Sequence, residues 1–106
     1  MKILLCCGAG ASTSLVAQCM MDSLPENEKG NYIINAITYD LFLDNYKNYD
    51  VVLLGPQIRY KKKALEKEAM ADNIPVDVIN SMDYALQNGA KIIEHAKQLY
   101  KKAHSA

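Results

Sequence analysis

A chain of 106 residues, half of them hydrophobic, has room for one domain spanning 1–106 around one core, and that apolar content excludes a disordered chain. Its 12 basic and 12 acidic side chains cancel, so the basic field that nucleic-acid binding requires is missing. No apolar run approaches the ~20 residues of a membrane span, and the short run after Lys2 is too brief for a secretory leader. The three cysteines, two of them adjacent, do not make a disulfide framework, and neither CxxC nor zinc-like Cys/His spacing occurs. A reducing, cytoplasmic setting is expected.

In chain order, residues 2–7 (KILLCC) form a continuous apolar run, as in a strand buried on both faces. A helical pattern starts near Ser12 or Thr13, with Leu15, Val16, Cys19, Met20 and Leu24 on one side. Pro25 and the polar stretch PENEKGN end it. Residues 32–38 (YIINAIT), rich in β-branched side chains, read as a second strand. Residues 40–49 read as a short helix with Leu41 and Tyr46 inward. Residues 50–55 (DVVLLG) are a third strand, followed by a GPQIRY loop and a helix over about 60–71 with Leu65, Ala69 and Met70 inward. Residues 75–80 (PVDVIN) are a fourth strand. A last helix over about 82–102 carries the stripe Leu86, Ala90, Ile93, Ala96 and Tyr100, with Asn80 or Ser81 as its cap. This strict strand–helix alternation predicts an α/β fold: an open parallel sheet with helices on both faces and right-handed crossovers.

In such sheets ligands sit at the carboxyl ends of the strands, where strand order reverses. The segment leaving the first strand is GAGASTS, residues 8–14. Glycine and alanine leave backbone N–H groups uncovered, so a loop of them entering a helix can wrap an anion, and Ser12, Thr13 and Ser14 add hydroxyls. Phosphate is the natural fit. No lysine completes a nucleotide P-loop, and the dinucleotide fingerprint lacks its third glycine. Cys7 stands at the mouth of this loop, where helix and amides favour a nucleophilic thiolate. Cys6 should point to the opposite face and serve packing. The competing reading makes both cysteines small core residues and the loop a tight turn.

Cysteine-dependent phosphatases resemble this arrangement: a cysteine, five loop residues, an arginine, then serine or threonine. Here the arginine's place is taken by Thr13. Without a guanidinium, attack by water on a phosphocysteine has less electrostatic support. A phosphate carrier therefore fits better than a phosphatase-like cysteine hydrolase, which is the alternative. A thiol redox protein is disfavoured by the missing CxxC.

On the segment LLCCGAGASTSLV (residues 4–16), on DVVLLGPQIRY (50–60) and more loosely on PVDVINSMDYALQNG (75–89), the chain resembles the IIB component of the bacterial phosphoenolpyruvate-dependent sugar phosphotransferase system, lactose/cellobiose type. The family usually has an apolar residue where Cys6 stands. The resemblance implies a four-stranded parallel sheet of order 2-1-3-4, similar to low-molecular-weight tyrosine phosphatase. It implies phosphocysteine at Cys7 and phosphate held by Gly8, Ala9, Gly10, Ala11, Ser12, Thr13 and Ser14. It also implies a carrier taking phosphate from a IIA phosphoprotein to a sugar, a β-disaccharide such as cellobiose, chitobiose or lactose, at a IIC membrane transporter; nothing in the sequence demands more than a monomer. Neither metal nor organic cofactor is implied.

Outside that loop, Gln57 is a candidate accessory residue, since strand three should end beside strand one. The basic run at 59–63 opposes a helix dipole and either docks an anionic partner or is a solvated face. Asp83 reads as a helix-start carboxylate, Cys19 as core, and His95 and His104 as surface residues.

Overall fold

A computed structural model describes residues 1–8 and 12–104. The strands are β1 (Lys2–Cys7), β2 (Ile33–Thr38), β3 (Val51–Leu54) and β4 (Val76–Val78), and the helices α1 (Ser12–Ser23), α2 (Glu26–Lys29), α3 (Phe42–Asn45), α4 (Lys62–Met70), α5 (Ser81–Ala85) and α6 (Gly89–His104). Short 3-10 turns flank α3 on both sides, and a longer one, Pro56–Lys61, precedes α4. All pairings are parallel in the order β2-β1-β3-β4, so β1 and β3 lie at the centre and the order reverses between β1 and β3. Register places Cys7 opposite Thr38 and Cys6 between Ile37 and Leu54.

The continuous apolar strands follow from two covered faces. Ile3 and Leu5 point with Val51 and Leu53 into a core closed by Val16 and Met20 of α1 and by Ile92, Ile93 and Ala96 of α6. Leu4 and Cys6 point with Val52, Leu54 and Val76 into a second core closed by Phe42, Tyr46, Ile58 and Ala69.

Several helical faces are rotated from their expected phase. On α1 the buried line is Thr13, Val16, Ala17 and Met20, continued by Leu24, while Leu15 is 57% exposed. Residues 39–48 wind as 3-10, α and 3-10 in succession. The tighter 3-10 turns shift the phase, so Phe42 rather than Leu41 turns inward; its ring stacks on Tyr46 at 4.7 Å between centroids. Met70 is exposed and Ala69 takes the inner place on α4. The polar stretch after Pro25 contains the single-turn α2.

The expected long last helix is two helices. α5 is capped by Asn80, whose Oδ1 accepts from the Met82 and Asp83 N–H groups at 2.9 and 3.1 Å. The chain then breaks at Gln87, which takes a left-handed φ of 53°. Asn88 starts α6 by accepting from the Lys91 N–H at 3.2 Å. Gly89 is required by a helix crossing: a Cβ there would collide with the Cys19 carbonyl oxygen of α1. Leu86 is consequently left on the surface, 67% exposed.

Candidate active site

Cys7 is the last residue of β1, at the carboxyl end of a central strand. Strand alternation puts it on the α1/α6 face, whereas Cys6 belongs to the opposite core. Cys7 is 4% exposed, and its S–H reaches the Ile37 carbonyl at a sulfur–oxygen distance of 3.7 Å. Burial, reinforced by the neighbouring Cys7 charge, pushes the Cys6 thiol up to about 12. Cys6 therefore stays protonated at neutral pH and is a poor nucleophile.

Gly8 starts the turn toward α1. A Cβ at Gly8 would stand 3.0 Å from Ile58 Cγ2, so the segment after β3 presses directly on the start of the loop. The two strand ends are also tied by the Gly55 N–H, which donates to the Cys6 carbonyl at 2.8 Å. Gln57 lies on this segment with an exposed side chain; its Oε1 sits where a Cβ on Gly55 would be, 2.6 Å away. The segment that carries Gln57 thus runs beside the end of β1 and Gly8. Ala9, Gly10 and Ala11 lie outside the described residues.

α1 begins at Ser12 with no acidic residue in its first turn. Its amino-terminal dipole is therefore not offset by a carboxylate of its own. Thr13 is 0% exposed, and its Oγ1 is, among the described residues, the one buried side-chain oxygen or nitrogen without a hydrogen-bond partner. A buried hydroxyl without a partner costs on the order of 1–3 kcal/mol and calls for an explanation. Ser14, next in line, is exposed. The site so far is a nearly buried thiol, a helix start without acid, and an unsatisfied hydroxyl one residue into that helix.

Two features escaped the sequence. Large apolar side chains stand exposed in every described segment that leaves the carboxyl end of a strand: Leu15, Leu41, Leu43, Tyr60, Met82 and Leu86. Three of them had been expected inward, because helical periodicity assumes an unbroken helix with one buried stripe. The second feature is His95. It is half-buried rather than on the surface, with Nε2 2.9 Å from Asp77 Oδ2. Asp77 also meets Lys62 Nζ at 3.2 Å and accepts from the Val78 N–H at 2.8 Å. Burial raises the Asp77 pKa, but the hydrogen bonds from His95, Val78 and Lys62 outweigh it and hold the carboxyl below its ordinary value. An open cavity of ≈ 440 Å³ beside this cluster, lined by Lys62, Ile74, Pro75 and Asp77 among others, follows the outer edge of β4. It begins at the amino end of that strand, whereas the cysteine loop lies at the carboxyl ends.

Comparison with known proteins gives the family. Residues 2–95 match the family described as PTS system, Lactose/Cellobiose specific IIB subunit. The chain belongs to that family, whose members act as phosphotransferase components of sugar uptake together with IIA and IIC partners. It is 37% identical over 103 residues to the PTS system galactose-specific EIIB component of Lactococcus lactis subsp. cremoris, covering 92% of this chain and 94% of that protein. It is 39% identical over 101 residues to the oligo-beta-mannoside-specific EIIB component of Bacillus subtilis, with the same coverages. The solution structure of the cellobiose-specific phosphotransferase IIB component from Borrelia burgdorferi, 37% identical, superposes with a TM-score of 0.75 over 100% of this chain and 96% of that one. The lactose-specific IIB domain from Streptococcus pneumoniae, 21% identical, shares the fold with a TM-score of 0.77, over 94% of this chain and 97% of that one. The four-stranded order is that of the low-molecular-weight tyrosine phosphatase type of fold.

Proposed function

We propose that this chain carries a phosphoryl group on Cys7, taken from a phosphohistidine of a IIA protein and passed to a sugar held by a IIC transporter. In the first step Cys7 Sγ attacks phosphorus, the P–S bond forms and the P–N bond breaks. The thiol proton ends on the released imidazole. In the second step a sugar hydroxyl attacks phosphorus, the P–S bond breaks, and the hydroxyl proton returns to sulfur. Both are in-line displacements in which positioning and charge stabilisation dominate.

The observation that carries the reading is the unpartnered Thr13 hydroxyl, buried in the first turn of a helix that starts just after Cys7. A phosphate on sulfur would supply the missing acceptor oxygen. The backbone N–H groups of residues 8–14 would hold its other oxygens, with Ser12 and Ser14 as further hydroxyls and Gln57 at the margin. The exposed apolar side chains around this end of the sheet would form the surface on which the partner proteins press in turn. The proposed sugar is a β-linked disaccharide such as cellobiose, chitobiose or lactose. Relatives named for cellobiose and for oligo-beta-mannosides fit that class. None of the three cysteines is in a disulfide, as the proposed cytoplasmic setting would maintain. Among the described residues no helix is long and apolar enough to cross a membrane.

The test is intact-mass measurement after incubation with a phosphorylated lactose/cellobiose-type IIA protein. The wild type and Cys6→Ser should each gain one phosphoryl group, and Cys7→Ser none. A labelled Cys7→Ser protein beside an unlabelled Cys6→Ser protein would overturn the assignment.

A further inference from the structure

The basic run after β3 has a use that the phosphate loop does not absorb. Residues 55–63 contain four cations and no carboxylate. Lys62 is committed to Asp77. The other three remain at the carboxyl rim of the sheet. Lys61 Nζ lies 4.9 Å above the ring of Tyr39 and 5.8 Å from that of Tyr60. Tyr39 directly follows Thr38, the register partner of Cys7. Arg59 and Lys63 are exposed, and Arg59 follows Ile58, the residue against which Gly8 is pressed. The neighbouring rim segments are different: residues 39–48 carry Asp40, Asp44 and Lys47, and residues 79–88 carry Asp83 alone. The positive charge of this face is thus confined to one side, and the aromatic rings hold its central ammonium in place.

We propose that Arg59, Tyr60, Lys61 and Lys63 form the docking surface for the phosphorylated donor, and that this surface prefers the phosphorylated donor to the spent one. The inference rests on the reading of Cys7 as the phosphate acceptor. A donor bearing phosphohistidine brings a dianion to this rim. Cations within about one Debye length, ~8 Å at physiological salt, draw such a charge in and speed its encounter. After transfer the dianion belongs to this chain. The same cations then face the phosphate on Cys7, and the spent donor has lost its electrostatic hold. The basic edge therefore favours both arrival and release, in that order.

The experiment follows phosphate acquisition by rapid quench and intact mass, across donor concentration and salt, with a phosphorylated lactose/cellobiose-type IIA protein. The triple variant Arg59→Gln, Lys61→Gln, Lys63→Gln should raise the donor KM about tenfold at low salt and flatten its salt dependence. The maximal rate should be retained, and affinity for the unphosphorylated donor should change less than twofold. Lys61→Arg alone, which keeps both charge and ring contact, should behave as the wild type. The proposal is overturned by an unchanged KM and salt dependence, or by equal weakening toward both donor forms. It is also overturned if only transfer to a IIC transporter in anionic vesicles is slowed, which would assign the surface to the membrane. Phosphate appearing on Cys7→Ser, or none on the wild type, would instead sink the carrier reading on which the proposal rests.

Discussion

At the scale of the residue, the molecule separates two adjacent cysteines by the pleat of one strand. Cys6 is sunk in the second core with its pKa driven up to about 12 by burial and by its neighbour. Cys7 ends the strand beside the loop. Thr13 makes the opposite compromise, keeping a hydroxyl where none of the described groups answers it. Valine has the same shape and the same β-branch, so Thr13→Val should fit α1 without strain. The resting protein should gain about 1 kcal/mol in urea denaturation, because an unsatisfied buried hydroxyl is removed. The phosphoprotein should form or persist about tenfold less well, read as the labelled fraction by mass and its decay by phosphorus NMR. A variant that is no more stable and transfers normally would show that Thr13 is neither unsatisfied nor in contact with phosphate.

At the scale of the element, Asp77 ties the sheet's outer strand to helices on opposite faces. Its carboxylate meets Lys62 of α4 and His95 of α6, and it takes the N–H of Val78 on the strand itself. An outer strand with a side chain occupying its own N–H offers less template for pairing with another chain. Because the folded-state pKa of Asp77 lies below its ordinary 3.8, the unfolded chain binds the proton more readily. The stabilisation is present above 3.8 and is lost as pH falls through the lower, folded value. Asp77→Asn should therefore be less stable than the wild type at pH 6. The two should converge as pH falls below the depressed folded value, where Asp77 is protonated in both folded and unfolded chains. Urea midpoints measured across that range check this, and a stability gap independent of pH would show that the ionised carboxylate is not what matters.

At the scale of the whole molecule, each described segment that leaves the carboxyl end of a strand keeps at least one large apolar side chain in water. Leu15, Leu41, Leu43, Tyr60, Met82 and Leu86 come from four such segments, and exposed apolar groups of this kind suit a surface for partners. Leu43→Ser with Leu86→Ser should leave stability within about 0.5 kcal/mol, since both side chains are already in water. It should weaken encounter with the IIA donor and with the IIC acceptor alike, raising KM in both half-reactions. A loss confined to one half-reaction would mean that the partners use separate faces.

Much of this was legible in the chain itself. The strand–helix alternation, the doubly covered strands, the Asn80 cap and the opposed directions of Cys6 and Cys7 depend on local periodicity and backbone chemistry, which a sequence carries in full. The place of Cys7 at a strand's carboxyl end followed from topology alone. What the tertiary structure decided depends on which neighbour covers a given face. Leu41 and Leu86 point outward because 3-10 turns and the break at Gln87 reset the helical phase, and no periodicity rule sees a reset. The split at Asn88 and Gly89 was not read from the sequence, and only the crossing of α1 at Cys19 says why glycine is needed at 89. Asp77 and His95 are 18 residues apart and meet only because α6 folds back beside β4. The burial of Thr13 likewise exists only once α1 lies against the sheet, since the cost of an unanswered hydroxyl is set by the surroundings that withdraw it from water.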